Sequence, residues 1–195
     1  MNARESIMAA IRDAKPADVA RPDVRSVVAR FPQPADLKET FAGSVALAGA
    51  RFIEGPRSEL PRLIAAAYPD WGRRVSVMDA SDAAGEERSP HSFADTDVFI
   101  CEATLAVAEN GAVWLPLSRL RHRSAVFLAT NVIIIVDRAC IVADLHEGYA
   151  SLDVARDGFG VFVAGPSKTA DIEQALVIGA HGPTSLTIVL VDGAG

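Results

Sequence analysis

The sequence of 195 residues contains only two cysteines, Cys101 and Cys140, and no Cys-x-x-Cys pair. That excludes an ordinary iron-sulfur cluster or a structural zinc knuckle built from this chain alone, because each needs about four protein ligands, mostly thiolates. Both cysteines lie among apolar residues, where a reduced buried thiol is expected. Positive charge is scarce as well: 19 Lys and Arg against 25 Asp and Glu give a net charge of -6. General electrostatic binding of nucleic acid is excluded, since neutralising phosphates needs a basic surface. Long apolar runs are missing. Val132 to Val136 and Leu186 to Val191 fall far short of the roughly 20 residues that cross a bilayer. Met1 to Ala14 carries Arg4, Glu5, Arg12 and Asp13 where a secretory signal has an uninterrupted apolar core. No membrane span is expected, and the cytoplasm is the expected location. The chain also lacks a Gly-x-x-x-x-Gly-Lys phosphate loop, internal repeats and low-complexity tracts.

Half of the residues are apolar, enough for one sizeable core. Residues 1–33 read as an amphipathic helix, with Ile7, Ala10 and Ile11 on one side, followed by an extended arm punctuated by Pro16, Pro22 and Pro32. Residues 34–195 read as an α/β domain. Leu37, Phe41, Val45 and Ala48 are helically spaced, and Gly49 stops that helix before a short strand at Arg51 to Ile53. A second helix at Ser58 to Ala67 leads into a strand at Val75 to Met78, and Asp79 to Asp95 is polar and turn-rich. Asn110-Gly111 between Leu105 to Ala108 and Ala112 to Leu115 is a hairpin signal. Val132 to Val136 is a β-branched run suited to a strand covered on both faces, with a helix expected over Cys140 to Ala150. Alternating helices and strands predict a mostly parallel sheet, with the hairpin as its antiparallel part.

Four polar segments can carry chemistry. Glu109 can act as nucleophile or general base if desolvated, or simply flank the hairpin turn. Arg119, Arg121 and Arg123 form a basic cluster when extended, fit for a phosphate or carboxylate, or a solvated loop. In Gly165-Pro166-Ser167-Lys168-Thr169-Ala170-Asp171-Ile172-Glu173, a turn is expected to open a short helix. Ser167, Lys168 and Thr169 then cradle an anion, or Ser167, Thr169 and Asp171 merely cap the helix. His181, between Gly179 and Gly182, suits proton transfer or a structural turn. His91 and His146 have no partner at metal-ligand spacing, so no metal is assigned.

Ala108-Glu109-Asn110-Gly111, the segment Leu117 to Ser124 leading into Val132 to Val136, and above all Gly165 to Glu173 with Gly179-Ala180-His181-Gly182-Pro183 resemble the lactate utilization protein C family, or LUD domain. The resemblance runs from about Leu37 to the C-terminus. The family usually has Glu-Thr-Gly where this chain has Glu-Asn-Gly, and Gly-Val-His-Gly-Pro where it has Gly-Ala-His-Gly-Pro.

The resemblance implies a Rossmann-like α/β sheet of the sugar-phosphate isomerase and CoA-transferase-like superfamily. It also implies a part in bacterial oxidation of L-lactate to pyruvate beside iron-sulfur partner subunits. Together with the polar segments above, it leaves Glu109 and His181 as candidate catalytic groups, and Arg119, Arg121, Arg123, Gly165, Ser167, Lys168, Thr169 and Asp171 as candidates around a small carboxylate or phosphorylated ligand. No cofactor is implied. Two other readings stand beside it: a CoA-transferase-like enzyme with Glu109 as nucleophile, and a non-catalytic interaction module that docks onto an iron-sulfur subunit.

Overall fold

The computed structural model describes residues 2–16, 19–20, 23, 26–27, 32–70, 72–78, 89–120, 122–172 and 175–193. By contacts the chain divides into Met1–Pro32 and Gln33–Gly195. In the first unit, helix α1 (Ala3–Asp13) starts from a reciprocal capping box: Asn2 accepts the Glu5 N–H and the Glu5 carboxylate accepts the Asn2 N–H. The helix buries none of its residues, and Ile7 and Ile11 stay exposed. The expected extended arm falls in large part outside the described residues.

The second unit begins with α2 (Leu37–Leu47), capped by Asp36, whose side chain accepts the Glu39 N–H. Strand β1 (Arg51–Pro56), a short 3-10 turn and α3 (Leu60–Ala67) follow, then β2 (Arg74–Ser76) and β3 (Val98–Glu102). The hairpin is β4 (Leu105–Val107) and β5 (Ala112–Pro116), turning where Asn110-Gly111 predicts it. A single-turn α4 (Ala125–Leu128) precedes β6 (Asn131–Asp137). After β7 (Ile141–Val142) come α5 (Leu145–Ser151), α6 (Val154–Asp157) and β8 (Gly160–Val163). The chain closes with β9 (Lys168–Ile172), β10 (Ala175–Ile178) and β11 (Ser185–Asp192).

Five strands form one parallel sheet in the order β1-β11-β6-β3-β2. As its unbroken apolar run predicts, β6 is central, and period-2 alternation splits its residues between two cores. Val132, Ile134 and Val136 face the larger core with Phe41 and Val45 of α2; Ile133 and Ile135 face Leu60 and Ile64 of α3. The hairpin does not join this sheet. It belongs to a second sheet, β7-β4-β5-β8, whose inner residues Ala106, Val113 and Leu115 pack into the larger core. Leu105, Val107 and Trp114 on its outer face meet Leu145 of α5. The domain is therefore layered α3, parallel sheet, second sheet, α5, with α2 filling the larger core from the side.

Two further sequence expectations are corrected. The segment after Gly165 is not a helix. Lys168–Ile172 pairs antiparallel with Ala175–Ile178, so β-branched Thr169, Ile172, Val177 and Ile178 follow their strand preference and local pairing overrides Asp171 as a helix-cap signal. The helix expected from Cys140 begins only at Leu145, where Asp144 accepts the Glu147 N–H. Ile141-Val142 is drawn first into β7, paired with Ala106 and Val107. Within the polar stretch 79–95, residues 79–88 lie outside the described residues, and Pro90–Phe93 is a 3-10 turn that buries Phe93.

Ile134 is fully buried in the central strand, whereas Ile178 at the hairpin is 52% exposed. Ile134→Ala is expected to cost about 2–5 kcal/mol in urea unfolding, through lost burial and the cavity left behind. Ile178→Ala is expected to stay within about 0.5 kcal/mol.

Candidate functional site

The segment Gly165 to Lys168 and the turn Gly179 to Pro183, at the two ends of the β9-β10 hairpin, form one structural unit. Ser167 donates its N–H to the Pro183 carbonyl at 3.0 Å, and the Gly179 N–H donates to the Ser167 carbonyl at 2.9 Å. These bonds clamp the base of the hairpin. Beneath the clamp lies a cleft of about 310 Å³ lined by Phe127, Val132, Phe162, Lys168 and His181, among others. His181 is exposed at its rim. Val132 and Leu186, also in the lining, place the cleft at the amino ends of β6 and β11.

The C-terminal half of α2 supports both this unit and the Glu109 turn. Gly165 has φ +74°, and a Cβ there would collide with the Ala48 carbonyl oxygen; at Gly111, with φ +70°, a Cβ would lie 2.6 Å from the Val45 nitrogen. Only glycine lets either loop seat on the helix. Lys168 Nζ donates to the Ala48 carbonyl, one of the carbonyls that the end of α2 leaves without a helical partner. Ser44 Oγ donates to the Glu109 carbonyl at 3.3 Å, one helical turn before Ala48. The Glu109 side chain turns to α5 instead, where Oε2 accepts the Leu145 N–H at 3.1 Å. Thus Glu109 and Lys168 both abut α2, but each polar head is engaged in holding a helix end. Thr169 is half-buried on β9, and Asp171 is on the same strand.

The basic segment is not an extended strand where it is described: Leu117–Arg119 is a 3-10 turn, and Leu120 and His122 are buried, with His122 4.6 Å from Phe93 between ring centroids. Arg123 is exposed, and Arg121 lies outside the described residues. Arg119 points elsewhere, into a cavity of about 610 Å³ at the carboxyl ends of β1, β3, β6 and β11. Around it stand Arg57, Glu102, Asp137, Arg138, Cys140 and Asp192. Arg57 Nη2 donates to Glu102 Oε1 at 2.6 Å, Arg119 Nη1 lies 3.7 Å from Glu102 Oε2, and Arg138 Nε lies 2.5 Å from Asp192 Oδ1.

Sequence reasoning missed every member of this cavity except Arg119. The available signal was positional: Arg57, Arg138 and Gly193 are each the first residue after a strand, and open α/β sheets bind ligands beyond the carboxyl ends of their strands. Cys140 is a free, partly buried thiol there. Burial pushes its pKa up, Asp137 and Glu102 push in the same direction, and Arg119 and Arg57 oppose them, so the group is a thiol rather than a thiolate near neutrality. Cys101 is fully buried, and desolvation raises its pKa as well. Among the described residues, no group of three or more His, Cys, Asp or Glu is arranged to hold a metal ion.

The seating on α2 makes two stability predictions, both measured by denaturant unfolding. Gly165→Ala is expected to cost about 1–3 kcal/mol, because a side chain at this positive φ is strained and blocked by the helix. Lys168→Met is expected to cost about 0.3–1 kcal/mol, by removing a cation from a helix C-terminus.

The comparisons with known proteins agree on one family. The LUD domain profile matches residues 9–191. A lactate utilization protein C from Bacillus licheniformis is 35% identical over 140 residues, covering 68% of this chain and 57% of its own length. One from Geobacillus sp. is 31% identical over 168 residues, covering 80% of this chain and 68% of its own length. One from Bacillus subtilis is 31% identical over 146 residues, covering 70% and 60%. The matches therefore span only about three-fifths to two-thirds of those relatives. Among solved structures, a DUF162 family protein from Deinococcus radiodurans superposes with a TM-score of 0.60 over 81% of this chain and 99% of that one. At 20% identity that likeness speaks to fold alone, and it agrees with a Rossmann-like α/β domain. The chain belongs to the LUD domain family.

Proposed function

We propose that this chain is a component of a bacterial system that oxidises L-lactate to pyruvate, acting in the cytoplasm beside separate iron-sulfur proteins. The observation that carries the reading is the 31–35% identity to proteins named lactate utilization protein C over 68–80% of the chain. Converting a hydroxy acid to a keto acid releases two electrons and two protons, so an electron acceptor must be at hand. This chain's two cysteines, one sealed in the core and one at a sheet end, supply no set of cluster ligands. A cluster in such a system therefore belongs to a partner.

The amino-end cleft, with the Lys168 charge and His181 on its border, fits a small carboxylate or phosphorylated ligand on this reading. Acyl transfer through Glu109 finds less support, because one of its carboxylate oxygens already accepts the Leu145 N–H.

Deleting the gene from a host with no second lactate route is expected to abolish growth on L-lactate while leaving growth on pyruvate intact, with restoration by the wild-type gene. Unimpaired growth on L-lactate overturns the role. Affinity purification of the tagged chain from lactate-grown cells is expected to bring down iron-sulfur proteins, identified by mass spectrometry and iron content. Recovery of the chain alone overturns the partnership.

A further inference from the structure

We propose that the cavity at the carboxyl ends of the parallel strands is an oxyanion-binding site, in which Arg57, Arg119 and Arg138 hold the carboxylate or phosphate group of a small organic anion. It is a different place from the amino-end cleft. Val132 lines that cleft and Asp137 lines this cavity, and the two residues lie about 17 Å apart along β6 at the usual strand rise. The proposal does not depend on the lactate reading.

Formal charge alone does not pick the ligand, since three arginines face the three lining carboxylates and Arg138 also lies 3.8 Å from Glu54. The placement of unspent donors does. Each acid is tied down by at least one hydrogen bond: Asp137 Oδ1 takes the Ala139 N–H at 2.8 Å, Glu102 takes Arg57, and Asp192 takes both Nε and Nη2 of Arg138. The guanidiniums carry more donors than these contacts consume. Each has several N–H groups and no acceptor. Arg57 spends Nε on the Gly193 carbonyl at 3.2 Å and one Nη2 proton on Glu102. Arg138 spends one edge on Asp192, and Arg119 reaches Glu102 only at 3.7 Å, beyond hydrogen-bond distance. A site with donors to spare takes an acceptor-rich group, and the planar fork of a guanidinium matches the oxygen pair of a carboxylate or phosphate.

The walls agree. Ala103, Ala139 and Cys140 are small and uncharged, so they leave room for a short carbon skeleton beside the anionic head. The four strand ends arrive from one rigid sheet, so Arg57 and Arg138 are held in fixed relation by the β1-β11-β6 register. Arg119 comes from the turn after β5 in the other sheet, and its side chain is 58% exposed. It is the arm with freedom to close on a bound anion.

The chain carries its own reporter. Cys140 lines the cavity, and the only other cysteine, Cys101, is fully buried. Iodoacetamide alkylation of Cys140, followed by peptide mass spectrometry on the full chain, therefore reads cavity occupancy, with Cys101 as an internal check on folding. The probes are sodium L-lactate, sodium pyruvate and inorganic phosphate, each against sodium chloride at equal ionic strength. At least one is expected to slow Cys140 alkylation relative to chloride, by about threefold at twice its dissociation constant. Which one does so separates a carboxylate from a phosphate ligand.

The plus-anion to chloride ratio is taken within each variant, so a change in intrinsic thiol reactivity cancels. Arg119→Gln and Arg138→Gln are expected to lose the protection, and Arg62→Gln, on an exposed α3 side chain, to keep it. Equal rates in all three anions and chloride overturn the proposal, and so does protection that persists undiminished in both Arg119→Gln and Arg138→Gln. Arg119 is exposed enough for its variant to fold, so the test stands on it even where Arg138→Gln does not.

Discussion

Strand β6 has no face toward water, and the rest of the domain is arranged around that constraint. Its hydrogen bonds go to β3 on one side and β11 on the other, both parallel, and its side chains enter two separate cores. A parallel strand buried on both faces has to be covered by other layers, because it offers no polar side to solvent. Helix α3 covers one face. The other is covered by a second sheet as well as a helix, which is how a short antiparallel hairpin becomes part of the core rather than an edge of the main sheet. The parallel register then aligns strand ends, and both cavities exist because β6 and β11 start together and finish together.

The residues that identify the family serve first to hold loops on α2. Gly111 and Gly165 permit contact between backbone and helix, Lys168 satisfies a carbonyl at the helix end, and Glu109 does the reciprocal service for the start of α5. A glycine at a positive φ against a helix backbone is replaced only at a cost in stability. A sequence signature can therefore record a packing constraint as readily as a reaction, and the Gly165 and Gly179 segments are joined by backbone bonds that need no particular side chain.

Much of this fold was legible in the residues, and the failures have a common cause. The central run Val132 to Val136, the Asn110-Gly111 turn and the last strand are local signals, continuous apolar runs and a turn dipeptide, and they appear where expected. Residues 168–172 carry a genuine helix-start pattern in Asp171 a few residues after the Gly-Pro turn, while the opposing signal, pairing with 175–178, needs the partner strand in place. Sheet membership of the hairpin was hidden for the same reason. The arginine cavity was the least visible: Arg57, Arg119 and Arg138 are scattered along the sequence, and only the convergence of strand ends makes them neighbours.

The two ends of the parallel sheet are therefore not equivalent. The amino end carries the family's recognisable loops, yet its lysine is engaged by the end of α2 and its backbone polar groups pair with one another. At the carboxyl end, side chains from four strand ends and a separate turn meet around a cavity of about 610 Å³, partly paired with one another. Rigid parallel strands fix Arg57 and Arg138, and the second sheet delivers Arg119 to the same space on a more exposed side chain. A fixed pair with one adjustable partner is the arrangement expected where binding must be specific without the sheet itself moving. The stability of the core and the placement of Arg57 and Arg138 are thus consequences of the same register between β1, β11 and β6.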